Sequence, residues 1–580
     1  MPGKAYLLEA FLILLCAAAG CNGKTNLLSP KANQEQAQIV VPPHVEGTVA
    51  EFATMVGGDN VPVQAHGLVV GLGENGSSEV PANIFRAMVE YLSKQDLGSY
   101  RMGTAALTPE RVLTDKDTAV VLVGGAVEMG APVGTKFDLY VSALPQTQTK
   151  SLDGGMLMPI DLALAYGGVS NPELTTRVWA TGAGPVFINP FVDTTSPDQA
   201  AKLLAGRIIG GGTVTRHQPI RLQLHRPDYQ VADQIQRQIH TRFDPGEKLL
   251  LSQVVKGRSR SLVDVTIPKA YQDDYPHFLQ LVMHLPIRYG QGGWEGYARR
   301  IAEQMEQPAA NHDELALVLE AMGRQTLPLV QKLYTSSTPA ASFYAARTGL
   351  RLGDVIAAEV LLRFADSAES PQQLPAVEEL GRRPDIIRAA PILRRLLDDS
   401  NEQVRLTAYR ALLARGDTMA ITTIDLPDQF KIDVVKTSRD YAIYATQTGD
   451  TRIVLFGQDL AVIHPVYFEA PGELVTVNAF GSSDKLTVFR SVPAVGRKSD
   501  PVEVGLAVRD LVEALGGIPE PDENGKVKSL GLSYSQVVGV LYRMSQAGDI
   551  PARFVLQPTE DIQRIYQGGA VMGRPDMPAE

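Results

Sequence analysis

Residues 136–142 read Lys-Phe-Asp-Leu-Tyr-Val-Ser, and apolar side chains occupy every second position. This alternation places Phe137, Leu139 and Val141 on one face of an extended chain, which is typical of a half-buried β-strand. The stretch 150–157 follows and reads Lys-Ser-Leu-Asp-Gly-Gly-Met-Leu, where paired glycines indicate a tight turn. A strand followed by a glycine turn predicts a β-rich module here rather than a helical bundle.

The same pattern of short apolar runs, broken by Gly, Pro and Asn, extends from about residue 47 to residue 256. Apolar spacing predicts helices between some of these strands, so each module should contain both element types. We predict two α+β modules, residues 47–175 and 176–293. The predicted strands are 66–72, 118–123, 220–224 and 263–267, and the predicted helices are 81–92, 230–242 and 275–283.

The pattern changes to short amphipathic helices between residues 294 and 417. In residues 386–399 an apolar stripe repeats at helical spacing, and Ser400 is the predicted cap of the next helix. This pair resembles a HEAT repeat, and residues 345–357 are echoed by residues 408–420. We predict a HEAT-like α-solenoid inserted between β-rich modules. Because stacked helix pairs bury their own faces, we expect the insertion to need little from its neighbours.

Strands return after the helical block. We predict a β-rich module at residues 418–500, a helix pair and strand at residues 501–558, and a flexible polar tail at residues 559–580. The helix pair should comprise residues 504–515 and 534–547. The fold class is therefore α+β multidomain: small β-rich modules interrupted by an α-solenoid and closed by a C-terminal helix pair.

Composition excludes several classes of protein. The chain has 580 residues and a net charge of −10, and no Lys/Arg block stands out, which argues against nucleic-acid binding. Hydrophobic residues make up 44% of the sequence, enough for several cores. After the N-terminal run, no apolar segment approaches the roughly 20 residues that cross a bilayer, so a polytopic membrane protein is excluded.

The N-terminus predicts export. A short apolar run follows Lys4 and ends in Ala18-Ala19-Gly20-Cys21, which resembles a bacterial lipobox with residues 1–20 as signal peptide. Cys21 would then carry lipid, and residues 21–46 would form a tether; an ordinary cleaved secretory signal is the alternative. The other cysteine, Cys16, lies inside the signal, so the mature chain can form neither an intramolecular disulfide nor a zinc finger.

Motifs for catalysis and cofactor binding are weak or missing. Residues 71–76 match G-x-G-x-x-G, but Ser77 to Pro81 intervene before the helix, so we interpret them as a glycine-rich loop. His277 and His284 lie seven apart on one predicted helix, which favours exposed or capping positions over metal ligation. The stretch 522–525 indicates a turn rather than a calcium loop. We predict no catalytic, cofactor-binding or metal-binding residue.

Several segments in unbroken order resemble the flagellar P-ring protein family. The most specific match is the strand 133–142 with the turn 150–157; the others are residues 66–92, 206–242, 263–283 and 511–556. On this resemblance the residues expected to maintain the shared structure are Gly67, Gly71, Lys150, Ser151, Leu152, Gly154 and Gly155. The helical block and residues 418–500 depart from the family pattern.

The resemblance implies a non-catalytic structural subunit that forms a homo-oligomeric ring around the rod of the flagellar basal body, in the periplasm. It also implies contacts with rod and L-ring-like proteins, with peptidoglycan as a further candidate partner. Cys21 would add an outer-membrane lipid anchor, and the HEAT-like block would bind an unidentified protein. The alternatives are an envelope adaptor lipoprotein unrelated to motility and an envelope hydrolase.

Overall fold

The computed structural model describes residues 42, 45–56, 60–95, 108–165, 177–191, 201–216, 220–246, 249, 252–470, 474–481, 483–492, 497–521 and 526–558. The predicted signal peptide, Cys21, nearly all of the tether, the turn 522–525 and the tail 559–580 lie outside the described residues. All elements below belong to the unit Pro43–Glu580.

The first half of the described chain is rich in antiparallel strands. The predicted strands and helices of this region are confirmed, with boundaries shifted by a few residues. In chain order the elements are α1 (Val49–Phe52), β1 (Ala53–Val56), β2 (Val61–Val70), α2 (Ala82–Lys94), α3 (Pro109–Leu113), β3 (Thr118–Val127), β4 (Lys136–Ala143), β5 (Met156–Leu164), β6 (Ala180–Pro185), β7 (Ala205–Val214), β8 (Ile220–Leu224), α4 (Tyr229–Phe243), β9 (Val255–Gly257), β10 (Leu262–Val265) and α5 (Tyr275–Met283).

Six of these strands close into a barrel with the order β2-β3-β4-β7-β6-β5. Leu139 and Val141 point into its core, and Phe137 packs at its margin, as the alternation in β4 predicts. The register of β4 against β7 shifts between Phe137 and Leu139, so Asp138 lies at an irregularity of the ladder. Such irregularities bend a strand and redirect a side chain.

The second module is a four-stranded antiparallel sheet with the order β1-β8-β10-β9. Its apolar face is covered by α4, whose spaced side chains Val231, Ile235 and Ile239 are buried, and by α5 with Phe278. Asp228 caps α4, because its carboxylate accepts the N–H of Gln230 at 2.7 Å. The periodic spacing of apolar side chains in these helices therefore identifies the helix face that packs on the sheet.

Residues 293–414, all of which are described, form eight α-helices. The prediction of helices here is confirmed, and their resemblance to HEAT repeats stays a prediction. Asn401, not Ser400, caps the last helix by accepting the N–H of Gln403 at 3.0 Å. The helices are α6 (Gly293–Met305), α7 (His312–Met322), α8 (Leu327–Leu333), α9 (Pro339–Arg351), α10 (Ala357–Asp366), α11 (Gln373–Gly381), α12 (Ala389–Leu396) and α13 (Glu402–Ala414). Most successive helices pack against each other, and α7 with α9 and α11 with α13 also pack closely.

The C-terminal part contains two more sheets and a helix pair. One sheet has the order β11-β12-β14-β13-β20, and the other runs β15-β16-β17 with β18 and β19 both paired to β17. The predicted helix 504–515 begins only at Val508, because Val502–Gly505 pairs with β17 as a strand. The elements are β11 (Ile421–Leu426), β12 (Phe430–Val435), β13 (Ala442–Ala445), β14 (Arg452–Phe456), β15 (Val466–Glu469), β16 (Val475–Ala479), β17 (Lys485–Val492), β18 (Arg497–Lys498), β19 (Val502–Gly505), α14 (Val508–Gly516), α15 (Tyr534–Ala547) and β20 (Arg553–Leu556).

The helical block shares its core with the modules on both sides. Leu317 and Ala321 of α7 belong to the core of the second module. At the other end, Val435, Val454 and Phe456 of the C-terminal sheet belong to the core of the helices. Helices together with antiparallel sheets and one mixed sheet, in which β12–β14 and β13–β20 are parallel pairs, confirm the α+β class. Within the described ranges, no helix has both the length and the apolar composition needed to cross a bilayer.

Candidate functional site: the glycine turn and the C-terminal helix

The turn 150–157 connects the barrel to the C-terminal helix α15. The N–H of Lys150 donates to Asn75 O at 2.8 Å, and that of Leu152 donates to Leu203 O at 2.9 Å. Ser151 Oγ accepts the N–H of Asp153 at 3.1 Å, while the Leu152 side chain is buried in the barrel core. These bonds fix the turn on the barrel wall, with its tip towards α15.

The two glycines of the turn have different physical roles. Gly154 has φ = +74°, a left-handed conformation that other residues adopt at a cost, and a Cβ there would lie 2.9 Å from Gln536 Nε2. A Cβ on Gly155 would lie 2.4 Å from Val69 Cγ1, inside the barrel. Gly154 therefore permits the approach of α15, and Gly155 permits the packing of the turn on β2.

Helix α15 meets the barrel through its first turn. Ser535 Oγ accepts the N–H of Ile188 at 3.2 Å and donates to Ile188 O at 3.1 Å, so one buried side chain satisfies both backbone groups. The same oxygen lies 3.4 Å from Asp153 Oδ1. Asp153 is exposed at its surface, but the neighbouring protein atoms displace part of the water around its carboxyl group. This desolvation raises the pKa of Asp153.

Two neighbouring residues of α15 extend this contact. Gln536 forms a capping box with Ser533, so the side chain that faces Gly154 also stabilises the start of the helix. Tyr534 is buried with its ring centroid 5.6 Å from that of Phe187, and its hydroxyl donates to Thr446 O at 2.9 Å. The first turn of α15 thus joins the barrel to the C-terminal sheet.

A second contact between these parts is polar. Asp138 Oδ1 accepts the N–H of Gly210 at 2.7 Å and that of Gly449 at 3.3 Å. Arg207 Nη1 donates to Gln447 O at 3.0 Å and lies 3.8 Å from Asp138 Oδ2. Burial raises the pKa of Asp138, although these hydrogen bonds and the Arg207 charge oppose the shift. The irregularity between β4 and β7 therefore holds the loop that connects β13 to β14.

The remaining family-motif residues lie on the barrel away from α15. Gly67 is in β2, opposite Val121 of β3, and Gly71 follows the end of β2. The Gly71 N–H donates to Asp117 Oδ2 at 3.3 Å, so an acidic side chain holds the loop 71–76. The next helix begins only at Ala82, as the intervening residues predict. Gly154 is the motif glycine whose added Cβ would contact α15.

His277 and His284 lie where α5 meets the helical block, and both side chains are largely buried. His277 Nε2 lies 2.6 Å from Glu320 Oε1, and His284, which ends α5, contacts Glu314. Arg351 adds a bidentate ion pair with Glu379, at 2.8 and 2.7 Å. The sequence gave no signal for these pairs, because their partners lie on α7 and α11. In the described part of the chain, no group of three or more His, Cys, Asp or Glu is placed to hold a metal ion.

Sequence reasoning found one side of the polar contact and missed the other. Asp138 and Arg207 lie in segments that resemble the P-ring family. Their partners Gln447 and Gly449 lie in residues 418–500, where that resemblance is weak. The polar loop 446–450 has the composition of an ordinary turn, so nothing local marks it as a contact.

Comparison with known proteins agrees with this division of the chain. The family model described as flagellar P-ring protein matches residues 48–292, less than half of the chain. The flagellar P-ring protein of Geobacter metallireducens is 28% identical over 233 residues, which cover 38% of this chain and 56% of that protein. The one from Anaeromyxobacter dehalogenans is 26% identical over 356 residues (59% and 85%), and the one from Thermotoga maritima is 27% identical over 232 residues (38% and 61%).

The matched region has clear structural limits. It begins at the first residues of α1 and ends at Gly292, directly before α6. It therefore contains the barrel and the second sheet, and it excludes the helical block. The chain spans little more than half the length of several of these relatives. This chain is similar to the flagellar P-ring proteins, and residues 48–292 carry the match to their family model.

Proposed function

We propose that this chain is a non-catalytic structural subunit that assembles into a ring around the rod of a bacterial flagellar basal body, in the periplasm. The observation that carries the proposal is the family match over residues 48–292, which spans the whole barrel and the second sheet with most of its core. Relatives named flagellar P-ring protein favour this function over that of an envelope adaptor unrelated to motility.

The packing of α15 on the barrel supports the proposal. The turn 150–157 and α15 are nearly 400 residues apart in sequence, yet they share the contacts of Gly154 and Ser535. Residues that resemble the family at both ends of the chain therefore form one continuous body. The described hydrogen bonds at this junction join backbone segments of the barrel and of the C-terminal part. A rigid junction of this kind is what a structural subunit under mechanical load requires.

The remaining parts of the chain are assigned on the sequence. Residues 1–20 are a lipoprotein-type signal peptide, Cys21 carries a lipid in the outer membrane, and residues 21–46 form a tether. The block 294–417 is a HEAT-like insertion that binds a further protein. On the sequence the modules end at residues 293, 417, 500 and 558, whereas the boundary predicted at residue 175 falls inside the barrel, because strands β6 and β7 lie beyond it. Rod proteins, L-ring-like proteins and peptidoglycan are the partners that the ring would contact.

Electron microscopy of purified basal bodies tests the proposal. An epitope tag on the C-terminus should label a ring around the rod, and deletion of the gene should remove that ring. Complementation with the full chain is the control for loss of neighbouring genes. A ring that persists without this chain, or basal bodies that never carry the tag, would contradict the proposed function.

A further inference from the structure

A cavity of about 200 Å³ lies where the turn 150–157 meets α15, and it opens to solvent. Ser151 and Asp153 line it from the turn, and Gln536 and Arg543 line it from α15. Apolar side chains line much of the remaining wall, and they include Leu203, Leu474 and Val540. Drug-sized ligands occupy about 300–1,000 Å³, so this cavity suits a smaller molecule.

Two opposite charges face the cavity but do not touch each other. Desolvation by neighbouring protein atoms raises the pKa of Asp153, and the charge of Arg543 opposes that shift without a hydrogen bond between the two side chains. Among the residues that the structure describes, Arg543 has no carboxylate partner within ion-pair distance. The carboxyl group and the guanidinium are therefore near enough to interact, yet they leave space between them.

These surroundings favour a ligand that carries both charges. The Asp153 carboxyl has lost part of its water, and an ammonium group would replace that water with charge-assisted hydrogen bonds. The planar guanidinium of Arg543 presents paired N–H donors, which match the two oxygens of a carboxylate. The apolar part of the wall offers contacts to a short aliphatic side chain. A small α-amino acid has all three features in one molecule, whereas a simple amine or a simple carboxylate would satisfy one charge and leave the other.

We propose that this cavity binds a small zwitterionic α-amino acid, with its ammonium group on Asp153 and its carboxylate on Arg543. Asp153 belongs to the turn on the barrel wall and Arg543 belongs to α15, so the ligand would bridge the two sides of the junction. Binding would therefore stabilise the folded junction in proportion to ligand occupancy. The inference goes beyond the proposed ring function and does not depend on it, because it concerns the folded chain alone.

Calorimetric titration of the purified full chain at pH 7 with three related probes tests this proposal. L-alanine carries both charges, propionate carries only the carboxylate, and ethylammonium carries only the ammonium group. The wild type should bind L-alanine with a dissociation constant of about 1 mM or tighter, and each single-charge probe at least about tenfold more weakly. L-alanine should also raise the temperature of unfolding. A wild type that does not bind L-alanine, or that binds the three probes equally, would overturn the proposal.

Two isosteric or near-isosteric variants assign the two ends of the ligand. Arg543→Gln should weaken binding of L-alanine at least about tenfold and should not weaken that of ethylammonium, because this probe has no carboxylate. Asp153→Asn should weaken binding of L-alanine by a similar factor and should not weaken that of propionate. If either variant binds L-alanine as the wild type does, the proposed contacts are wrong.

Gly539→Met tests the cavity without a change of charge. Gly539 and Pro190 both line the cavity, and a Cβ on Gly539 would lie 3.8 Å from Pro190 Cβ, which is an ordinary contact. Because methionine favours a helix more than glycine does, the variant should fold. Its side chain should fill the cavity and weaken binding of L-alanine at least about tenfold. Wild-type affinity in this variant would show that the ligand binds elsewhere.

Matched controls separate this effect from a general loss of surface charge. Arg553→Gln and Asp459→Asn neutralise exposed side chains that do not line the cavity, and both variants should bind L-alanine as the wild type does. All variants should retain the wild-type circular dichroism spectrum. A loss of binding in either control as large as that in Arg543→Gln would overturn the assigned site. The probes on the wild type test the proposal even if one variant does not fold.

Discussion

Tyr409 Oη donates a hydrogen bond to Asp433 Oδ2 at 2.5 Å, and this buried bond joins the last helix of the block to the sheet behind it. Asp433 also pairs with Arg452 at 2.8 Å and accepts the hydroxyl of Thr423. Burial and the neighbouring carboxylate raise the pKa of Tyr409, so its hydroxyl keeps the proton that it donates. A fully buried carboxylate is tolerated because its hydrogen bonds replace the lost water.

The first prediction concerns this bond. Tyr409→Phe removes one donor to a buried carboxylate and should lower the free energy of unfolding by about 1–3 kcal/mol. Guanidinium denaturation of the full chain, with hydrogen exchange in residues 402–414 as a local readout, measures the effect. Tyr467→Phe removes the hydroxyl of an exposed tyrosine and should change neither. Equal exchange in the two variants would contradict the role assigned to Tyr409.

The second prediction follows from the shared core. The sequence suggests that the block 294–417 could be replaced by a short Gly/Ser linker without loss of the remaining modules. The structure places Val435, Val454 and Phe456 in one core with α13, so the deletion would expose them. We expect the C-terminal sheet of the shortened chain to bind a hydrophobic dye and to exchange its amide hydrogens quickly. The barrel should keep its protection, which serves as the internal control. A protected C-terminal sheet would show that the helices are dispensable for it.

The sequence predicted individual helices and strands far better than it predicted which parts of the chain pack against them. Alternation located β4, and helical spacing located α4, α5 and α15, because each pattern records which face of an element is apolar. It does not record what covers that face. The stripe Val404, Ala408 and Leu412 is buried as expected, but part of the surface around it belongs to a sheet. Core sharing of this kind is invisible to local patterns.

The sequence also did not predict that the six strands close into a barrel. Strands β6 and β7 carry glycines at many positions, so they show no clear alternation of apolar and polar side chains. Their pairing with β5 and β4 is set by distant partners instead. The turn 150–157 was recognised from its resemblance to the P-ring family. The contact between this turn and Gln536 was not predicted. Gly154 is explained by its turn and Gln536 by its capping box, so neither residue indicates a distant partner.

The third prediction concerns pH. Burial raises the pKa of Glu379, but the hydrogen bonds and charge of Arg351 outweigh that effect and hold the pKa below its usual value. A pKa depressed by folding contributes stability above the value of the unfolded chain, and the contribution is lost as pH falls. We therefore expect Glu379→Gln to be less stable than the wild type at pH 7 and to lose less stability between pH 5 and pH 3. Calorimetric melting at several pH values measures this slope.

The control for the pH prediction is Glu469→Gln, which replaces an exposed glutamate and should follow the wild type throughout. A Glu379→Gln variant with the wild-type slope would contradict the assignment. Loss of Arg351 should be more severe. Arg351→Met removes the guanidinium that is hydrogen-bonded to the buried Glu379, at a cost of about 3–5 kcal/mol.

The fourth prediction concerns the N-terminus. If Cys21 carries the lipid, Cys21→Ser should move the protein from the membrane fraction to the soluble periplasm. The described helices offer no replacement, since none of them has the length and apolarity to cross a bilayer. Cys16→Ser is the matched control and should leave fractionation unchanged. Membrane association that survives Cys21→Ser would show that partners, rather than a lipid, hold the protein there.

The last prediction separates backbone strain from packing at the turn 150–157. Gly154 and Gly548 both have positive φ, +74° and +83°, but only Gly154 has a neighbour within 4 Å of its missing Cβ. Gly548→Ala should therefore cost only the left-handed strain, about 1–2 kcal/mol. Gly154→Ala should cost that amount and also push Gln536 aside, which loosens the first turn of α15. Thermal unfolding compares the two costs, and hydrogen exchange at residues 534–538 reports the loosening. If the two variants lose equal stability and Gly154→Ala leaves that exchange unchanged, the turn does not position α15, and its resemblance to the P-ring family reflects the barrel alone.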